Sequence, residues 1–195
     1  AECGANSVEK NSLVNSFIET HRLTMHKEKS VVIHVGNVRN CLHPCPTLKV
    51  HSEEMQKEES VKYLGNFISS QGGLGDTIED RRKRGWGKVA QILGMLGEVD
   101  TGTHRIEAGL ILRKAILTSS LLFTAEAWHN VTDKEIKRLE QVDSALLRSL
   151  VKGHSKTPVI FQHLEFGTLM LRHIIRMKRI MYHHHILSRN TNETI

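Results

Sequence analysis

No apolar run in this chain approaches the roughly 20 residues that a membrane-spanning helix needs, so no membrane partner is expected. Aromatic side chains make up only 5% of the 195 residues. That scarcity argues against a recognition surface of stacked rings, such as an RNA-binding sheet. Cysteine is limited to Cys3, Cys41 and Cys45. An odd set cannot close into a full disulfide framework, and the expectation is an intracellular, reducing compartment, nuclear or cytoplasmic alike. The opening Ala1-Glu2-Cys3-Gly4 lacks the basic start and apolar core of a signal peptide and does not begin with Met. A processed chain and a fragment both fit that start.

Hydrophobic residues, at 39%, fall slightly below the usual globular share, which suits an open fold or one missing a neighbour. The formal charge is +6 with 13 neutral histidines, a balance that favours an anionic partner. The length allows one domain, or a small sheet plus a helical subdomain.

The chain is organised around Val61-Lys62-Tyr63-Leu64-Gly65-Asn66-Phe67-Ile68-Ser69-Ser70, followed by Gln71-Gly72-Gly73. Its β-branched and aromatic residues favour a strand, and the glycine pair ends it. Upstream, residues 1–10 carry no pattern and are expected to form a disordered end. Leu13, Val14, Phe17 and Ile18 predict a short amphipathic helix over 11–22. Ser30 to Gly36 reads as a strand, residues 37–46 as a loop, Thr47 to Val50 as a second strand and Glu53 to Glu59 as an acidic connection. The organising strand then closes an antiparallel meander.

Downstream the spacing turns helical. Asp76 with Glu79 has capping-box spacing. Ile78, Trp86, Val89, Leu93 and Leu96 predict one inward face, opposite Arg81, Arg82, Lys83, Arg84 and Lys88. Gly85 and Gly87 each weaken this helix by roughly 1 kcal/mol relative to Ala. Residues 105–129 are apolar on most sides, the pattern of a central helix. Thr132 and Glu135 form a second capping box. Ile136, Leu139, Val142, Leu146 and Leu150 stripe the helix that follows, and Lys134, Lys137, Arg138 and Arg148 occupy its other face. Pro158 suits the first turn of a short helix ending at Gly167. A last helix covers 169–187, with Leu171, Ile174, Ile175 and Met181 inward, and residues 189–195 read as a flexible tail.

Several phrases in order resemble the reverse transcriptases of non-LTR retrotransposons. They are Leu23 to Ile33, Lys62 to Ser69, and helices bearing Glu126-Ala127-Trp128, Leu139 to Asp143 and Leu164 to Gly167. The resemblance covers about residues 11–188. It implies an α+β fold: a small antiparallel sheet over 11–75, the palm edge with its primer-grip hairpin, then an α-helical thumb bundle over 76–188. It also implies roles. Lys29 matches the lysine that protonates departing pyrophosphate. Tyr63, Leu64 and Gly65 match the primer grip, and the helices from Asp76 follow an RNA–DNA duplex of RNA template and DNA primer. Arg81, Arg82, Lys83, Arg84 and Lys88 would then neutralise phosphates.

The implied parent is an RNA-directed DNA polymerase, a nucleotidyltransferase using Mg²⁺. Its catalytic aspartate pair is absent here, since no two aspartates are adjacent. Two-metal phosphoryl transfer needs such carboxylates, so this chain alone is not expected to polymerise. The palm and fingers upstream would be its intramolecular partner. Two other readings stay open: a non-catalytic nucleic-acid-binding module from a decayed retroelement, and a helical protein-binding scaffold.

Each assignment has a plainer counterpart. A run of basic residues is usually a solvated helix face, a lysine before a strand a surface charge, and a strand tyrosine a packed one. Cys41-Leu42-His43-Pro44-Cys45 with His51 lacks a second ligand pair for zinc. His183-His184-His185 cannot turn three rings to one helix face. Asn130-Val131-Thr132 and Asn192-Glu193-Thr194 fit the glycosylation pattern, with nothing else pointing to secretion.

Overall fold

The computed structural model describes residues 2–24, 26, 30–35, 49–50, 53–97, 102–154 and 156–192. Its contacts divide into two units, Ala1–Gly73 and Leu74–Ile195. Helices dominate and short strands accompany them, which is an α+β chain in the coarse sense. Lys29, Cys41, His43, Cys45, His51 and the Glu193-Thr194 end of the second glycosylation pattern lie outside the described residues.

The first unit opens with α1 (Glu2–Thr20). Helical backbone therefore runs through residues 2–10, where a disordered end was expected. A complete Schellman motif ends the helix. Arg22 takes φ +51°, Leu23 donates its N–H to the Ile18 carbonyl at 3.0 Å, and Arg22 donates to that of Glu19 at 3.2 Å. One turn apart, the Nδ2 groups of Asn11 and Asn15 both donate to the Lys49 carbonyl at 2.9 Å. Ile18 is the one buried hydrophobic side chain among the described residues of this unit. Leu13, Val14 and Phe17 face water.

Among the described residues six short strands follow: β1 (Val31–Val32), β2 (Lys49–Val50), β3 (Glu53–Glu54), β4 (Gln56–Lys57), β5 (Ser60–Tyr63) and β6 (Asn66–Ser69). β1 pairs with β4 in parallel, β2 with β3 antiparallel, and β5 with β6 antiparallel. The expected antiparallel meander is thus corrected to three separate pairs, one of them parallel. Opposite charges let the acidic connection pair as strand. Lys49 stands across from Glu54, with Nζ 3.8 Å from Oε1.

The organising stretch is likewise two strands rather than one. It reverses at Leu64-Gly65, whose φ values of +46° and +82° match a type I′ turn. Tyr63 then faces Asn66, Lys62 faces Phe67 and Val61 faces Ile68. The Lys62 ammonium lies 5.2 Å from the Phe67 ring centre.

The second unit contains α2 (Gly75–Leu96) and α3 (Thr103–Leu112). A π-helical segment, Arg113–Thr118, and a final turn, α4 (Ser119–Leu121), continue α3 without a break. A 3₁₀ turn (Ala125–Ala127) precedes α5 (Asp133–Leu150), α6 (Val159–Glu165) and α7 (Leu171–Asn192). α7 runs past 187 through most of the expected tail. α2 packs on α5 and on the α3–α4 helix, while α5 also meets α6 and α7.

The core joins Ile78, Val89, Ile92 and Leu96 of α2 to Leu117, Leu121 and Leu122. Trp128, Leu139, Val142, Leu146 and Leu147 complete it, with Leu171 and Ile175 from α7. The inward stripe of α2 is Ile78, Arg81, Gly85, Val89, Ile92 and Leu96. Trp86, expected inward, is exposed, and the small Gly85 takes the buried position instead. Met181, also expected inward, faces solvent. So do Ile111 and Phe123, so the 105–129 stretch is buried along one side only.

The two capping boxes fare differently. Thr132 and Glu135 bond reciprocally, Thr132 N–H to Glu135 Oε2 at 2.8 Å and Glu135 N–H to Thr132 Oγ1 at 3.3 Å. α2 starts one residue before Asp76 and has no side-chain cap. The Glu79 carboxylate binds Arg82 instead.

Candidate nucleic-acid interface

Helical geometry scatters the basic run of α2 around its circumference. Arg81 is only 3% exposed, with its guanidinium carbon 5.0 Å from the Phe123 ring centre. Burial, with the nearby Arg84 charge, lowers its pKa. Arg82 donates twice to Glu79, at 2.9 and 3.0 Å. That pairing raises the arginine pKa and lowers that of the carboxylate. Arg84 pairs with Asp80 at 3.1 Å. Lys88 donates to Gln91 at 3.1 Å, and Lys83 is exposed. The expected contiguous basic face is therefore corrected. Arg81 belongs to the core, and Arg82 and Arg84 hold acidic neighbours.

A different set of cations does converge. α2 and α5 leave an open groove of about 550 Å³ between them, lined by Glu79, Arg82, Lys134, Lys137, Arg138 and Gln141. The four α5 residues fall at i, i+3, i+4 and i+7, one helix face. The groove thus gathers four cations and one carboxylate. Glu79 is already held by Arg82, and no ion pair to Lys134, Lys137 or Arg138 forms among the described residues. Such a surface suits a polyanion, whose phosphates take point-charge and forked donors alike. Their three-four spacing is visible in the sequence.

Tyr63, Leu64 and Gly65, which the resemblance matches to a primer grip, lie at the tip of the β5–β6 hairpin. Tyr63 and Leu64 are exposed, and Gly65 is half-buried. The tip can therefore offer backbone and side chains to a partner.

On the inward side, α5 carries a polar network that sequence patterning did not reveal. Arg113 donates two hydrogen bonds of 2.7 Å to Asp143 and one of 3.3 Å to the Leu169 carbonyl. Arg172 holds Glu140 in the same forked way, at 2.9 and 2.7 Å. Ser144 Oγ donates to Gln162 Oε1 at 2.8 Å, and Gln162 Nε2 to the Thr157 carbonyl at 2.9 Å. Glu140, Asp143 and Ser144 recur at i, i+3 and i+4, so one face of α5 ties the π-helical segment, α6 and α7 together.

His163 is buried beside this network. Its Nδ1 shares a hydrogen bond of 3.0 Å with Thr168 Oγ1, and its Nε2 lies 3.7 Å from Asp143. Burial lowers its pKa below the usual 6.5, outweighing the attraction of Asp143. The folded chain therefore holds His163 neutral where the unfolded chain already protonates it. Stability from this residue is full above about pH 6.5 and is lost as the pH falls below that. Urea unfolding between pH 7.5 and 5 should show the decline, and His163→Gln should flatten it. An unchanged slope in the variant would assign the pH dependence elsewhere.

No group of three His, Cys, Asp or Glu side chains that could hold a metal converges among the described residues. The buried carboxylates Asp143 and Glu140 are engaged by arginines, so the residues described do not fit the Mg²⁺ implied for the parent enzyme. Among these residues, too, no helix is long and apolar enough to cross a membrane. The chain matches no family model, no curated protein and no solved structure.

Proposed function

We propose that this chain is a nucleic-acid-binding part of a non-LTR retrotransposon reverse transcriptase. In this reading the helical unit acts as a thumb and holds an RNA–DNA duplex, while catalysis belongs to residues outside the chain. The groove between α2 and α5 carries the reading. Lys134, Lys137 and Arg138 are spaced to meet a backbone, and α5 is fixed beneath them by its capping box and buried ion pairs. The ordered phrases of the sequence supply the choice of duplex. The hairpin tip at Tyr63-Leu64-Gly65 would meet the primer end, and Lys29 would serve the complete enzyme as its proton donor.

The experiment is a salt titration of binding to a labelled RNA–DNA duplex, read by fluorescence anisotropy. The logarithm of the affinity should fall linearly with the logarithm of salt. Replacing Lys134, Lys137 and Arg138 together by Ala should reduce that slope by about 2–3, at roughly 0.9 per phosphate contact. Replacing Lys83 should do less. Binding that is undetectable, or as strong in the triple variant, would remove both the polymerase reading and that of a decayed non-catalytic module.

A further inference from the structure

Glu79 is out of place in a groove built for phosphates alone. It lines the α2–α5 groove together with Arg82, Lys134, Lys137 and Arg138, and its side chain is 34% exposed. The hydrogen bonds from Arg82, with Lys83 and Arg138 nearby, hold its carboxyl below the usual carboxylate range, so it stays ionised. An ionised carboxylate accepts hydrogen bonds and donates none. Arg82 occupies one site on each oxygen, at 3.0 and 2.9 Å. Of the roughly four lone-pair sites on the two oxygens, about two remain, and the guanidinium keeps about three of its five donors. Lys134 and Gln141 are roughly 10 Å apart along α5. The charges of one strand repeat about every 3.4 Å of duplex axis, so a strand laid along this row sets about three nucleotides against it.

We infer that Glu79 accepts a hydrogen bond from a ribose 2′-hydroxyl, so that the groove seats the RNA strand of the duplex and not its DNA strand. The inference rests on the duplex reading of this groove and adds the choice of strand. The cations cannot make that choice, because both strands carry the same phosphates. A DNA strand brings only phosphate and sugar oxygens along its backbone, all acceptors, and Glu79 would meet them as one more negative charge. The 2′-hydroxyl is the donor that an RNA backbone adds. Glu79 and Arg82, clamped together, then offer an acceptor and a donor side by side, to match a hydroxyl and the phosphate next to it. Gln141 both donates and accepts, and so serves either strand.

The probes are two RNA–DNA hybrids of one sequence, the second with 2′-fluoro in place of every 2′-hydroxyl of the RNA strand. Fluorine keeps the ribose pucker and cannot donate. Anisotropy titrations of the full chain at one salt concentration should show the hydroxyl hybrid binding about fivefold more tightly, the scale of one hydrogen bond to a charged group in water. Glu79→Ala should bring that ratio close to one, while both affinities rise because a negative charge has left the groove. The ratio is the readout, and circular dichroism should show an unchanged fold. Equal binding of the two hybrids by the parent chain, or a ratio that persists in E79A, would overturn the inference and leave salt-dependent duplex binding standing. So would a preference that follows guanine content, since the guanine amine is a minor-groove donor on either strand. Binding to neither hybrid would overturn the inference together with the duplex reading.

Discussion

Asp143→Ala is expected to lower the unfolding free energy by about 3–5 kcal/mol, the usual cost of stranding one member of a buried ion pair. The Arg113 guanidinium would lose both 2.7 Å acceptors and keep only the Leu169 carbonyl at 3.3 Å. Asp143 is wholly buried and Arg113 nearly so, which leaves water little room to replace the carboxylate. His163 would lose its acidic neighbour at the same time. Removing the second charge should recover much of the loss, since a buried pair often contributes little relative to apolar replacements. Asp143→Leu with Arg113→Met should therefore be more stable than Asp143→Ala alone. Urea unfolding followed by tryptophan emission reports on the right unit, because Trp86 and Trp128 both belong to it. A loss below about 1 kcal/mol in Asp143→Ala would mean the pair is solvated in a way its burial does not suggest.

Gly85 and Gly87 are two residues apart on α2 and should respond in opposite directions. A Cβ at Gly85 would lie 2.6 Å from Leu121 Cδ2 and 3.0 Å from Val142 Cγ1. Those atoms come from two different elements, both fully buried, so neither can yield without moving the core. Gly85→Val should cost about 3 kcal/mol, at the upper end of ordinary overpacking. A Cβ at Gly87 meets nothing within 4 Å. Gly87→Ala should then stabilise the helix by up to about 1 kcal/mol through backbone entropy alone. Equal responses at the two sites would show that α2 and α5 do not approach as closely as described.

That contrast also shows what the sequence could and could not reveal. Both glycines look alike as helix weakeners, and only packing tells the contact residue from the exposed one. Arg81 has the same ambiguity, because its charge suggests a surface while its position between Ile78 and Gly85 places it inward. Helical segments were legible wherever periodic apolar residues and a local cap agreed, as at Thr132 and Glu135. The strands were legible only in part: the ranges 30–36 and 47–50 contain β1 and β2, whereas β3 and β4 fall in a stretch read as a connection. Each is two to four residues long, too short for periodicity to register, and the parallel β1–β4 pairing depends on residues far apart in the chain. The resemblance implied a hairpin here, but residue patterning alone gave one strand, because a leucine in a type I′ turn reads as one more strand residue where Asn or Asp would be diagnostic. The cations of α5 could be aligned on one face from their spacing. That Arg82 of α2 would join them, and that Asp143 and Glu140 would bind arginines from later in the chain, required the tertiary arrangement.

The π-helical segment solves a problem of winding. Gly109, Arg113, Leu117 and Leu121 are all buried, and they recur at every fourth residue. On an ordinary helix each four-residue step overshoots a full turn by about 40°, so such a row would spiral away from the core. The wider turn between Arg113 and Thr118 takes part of that rotation back, because its hydrogen bonds reach one residue further along the chain. One phase correction thus keeps a glycine, a charged side chain and two leucines in line along a single helix.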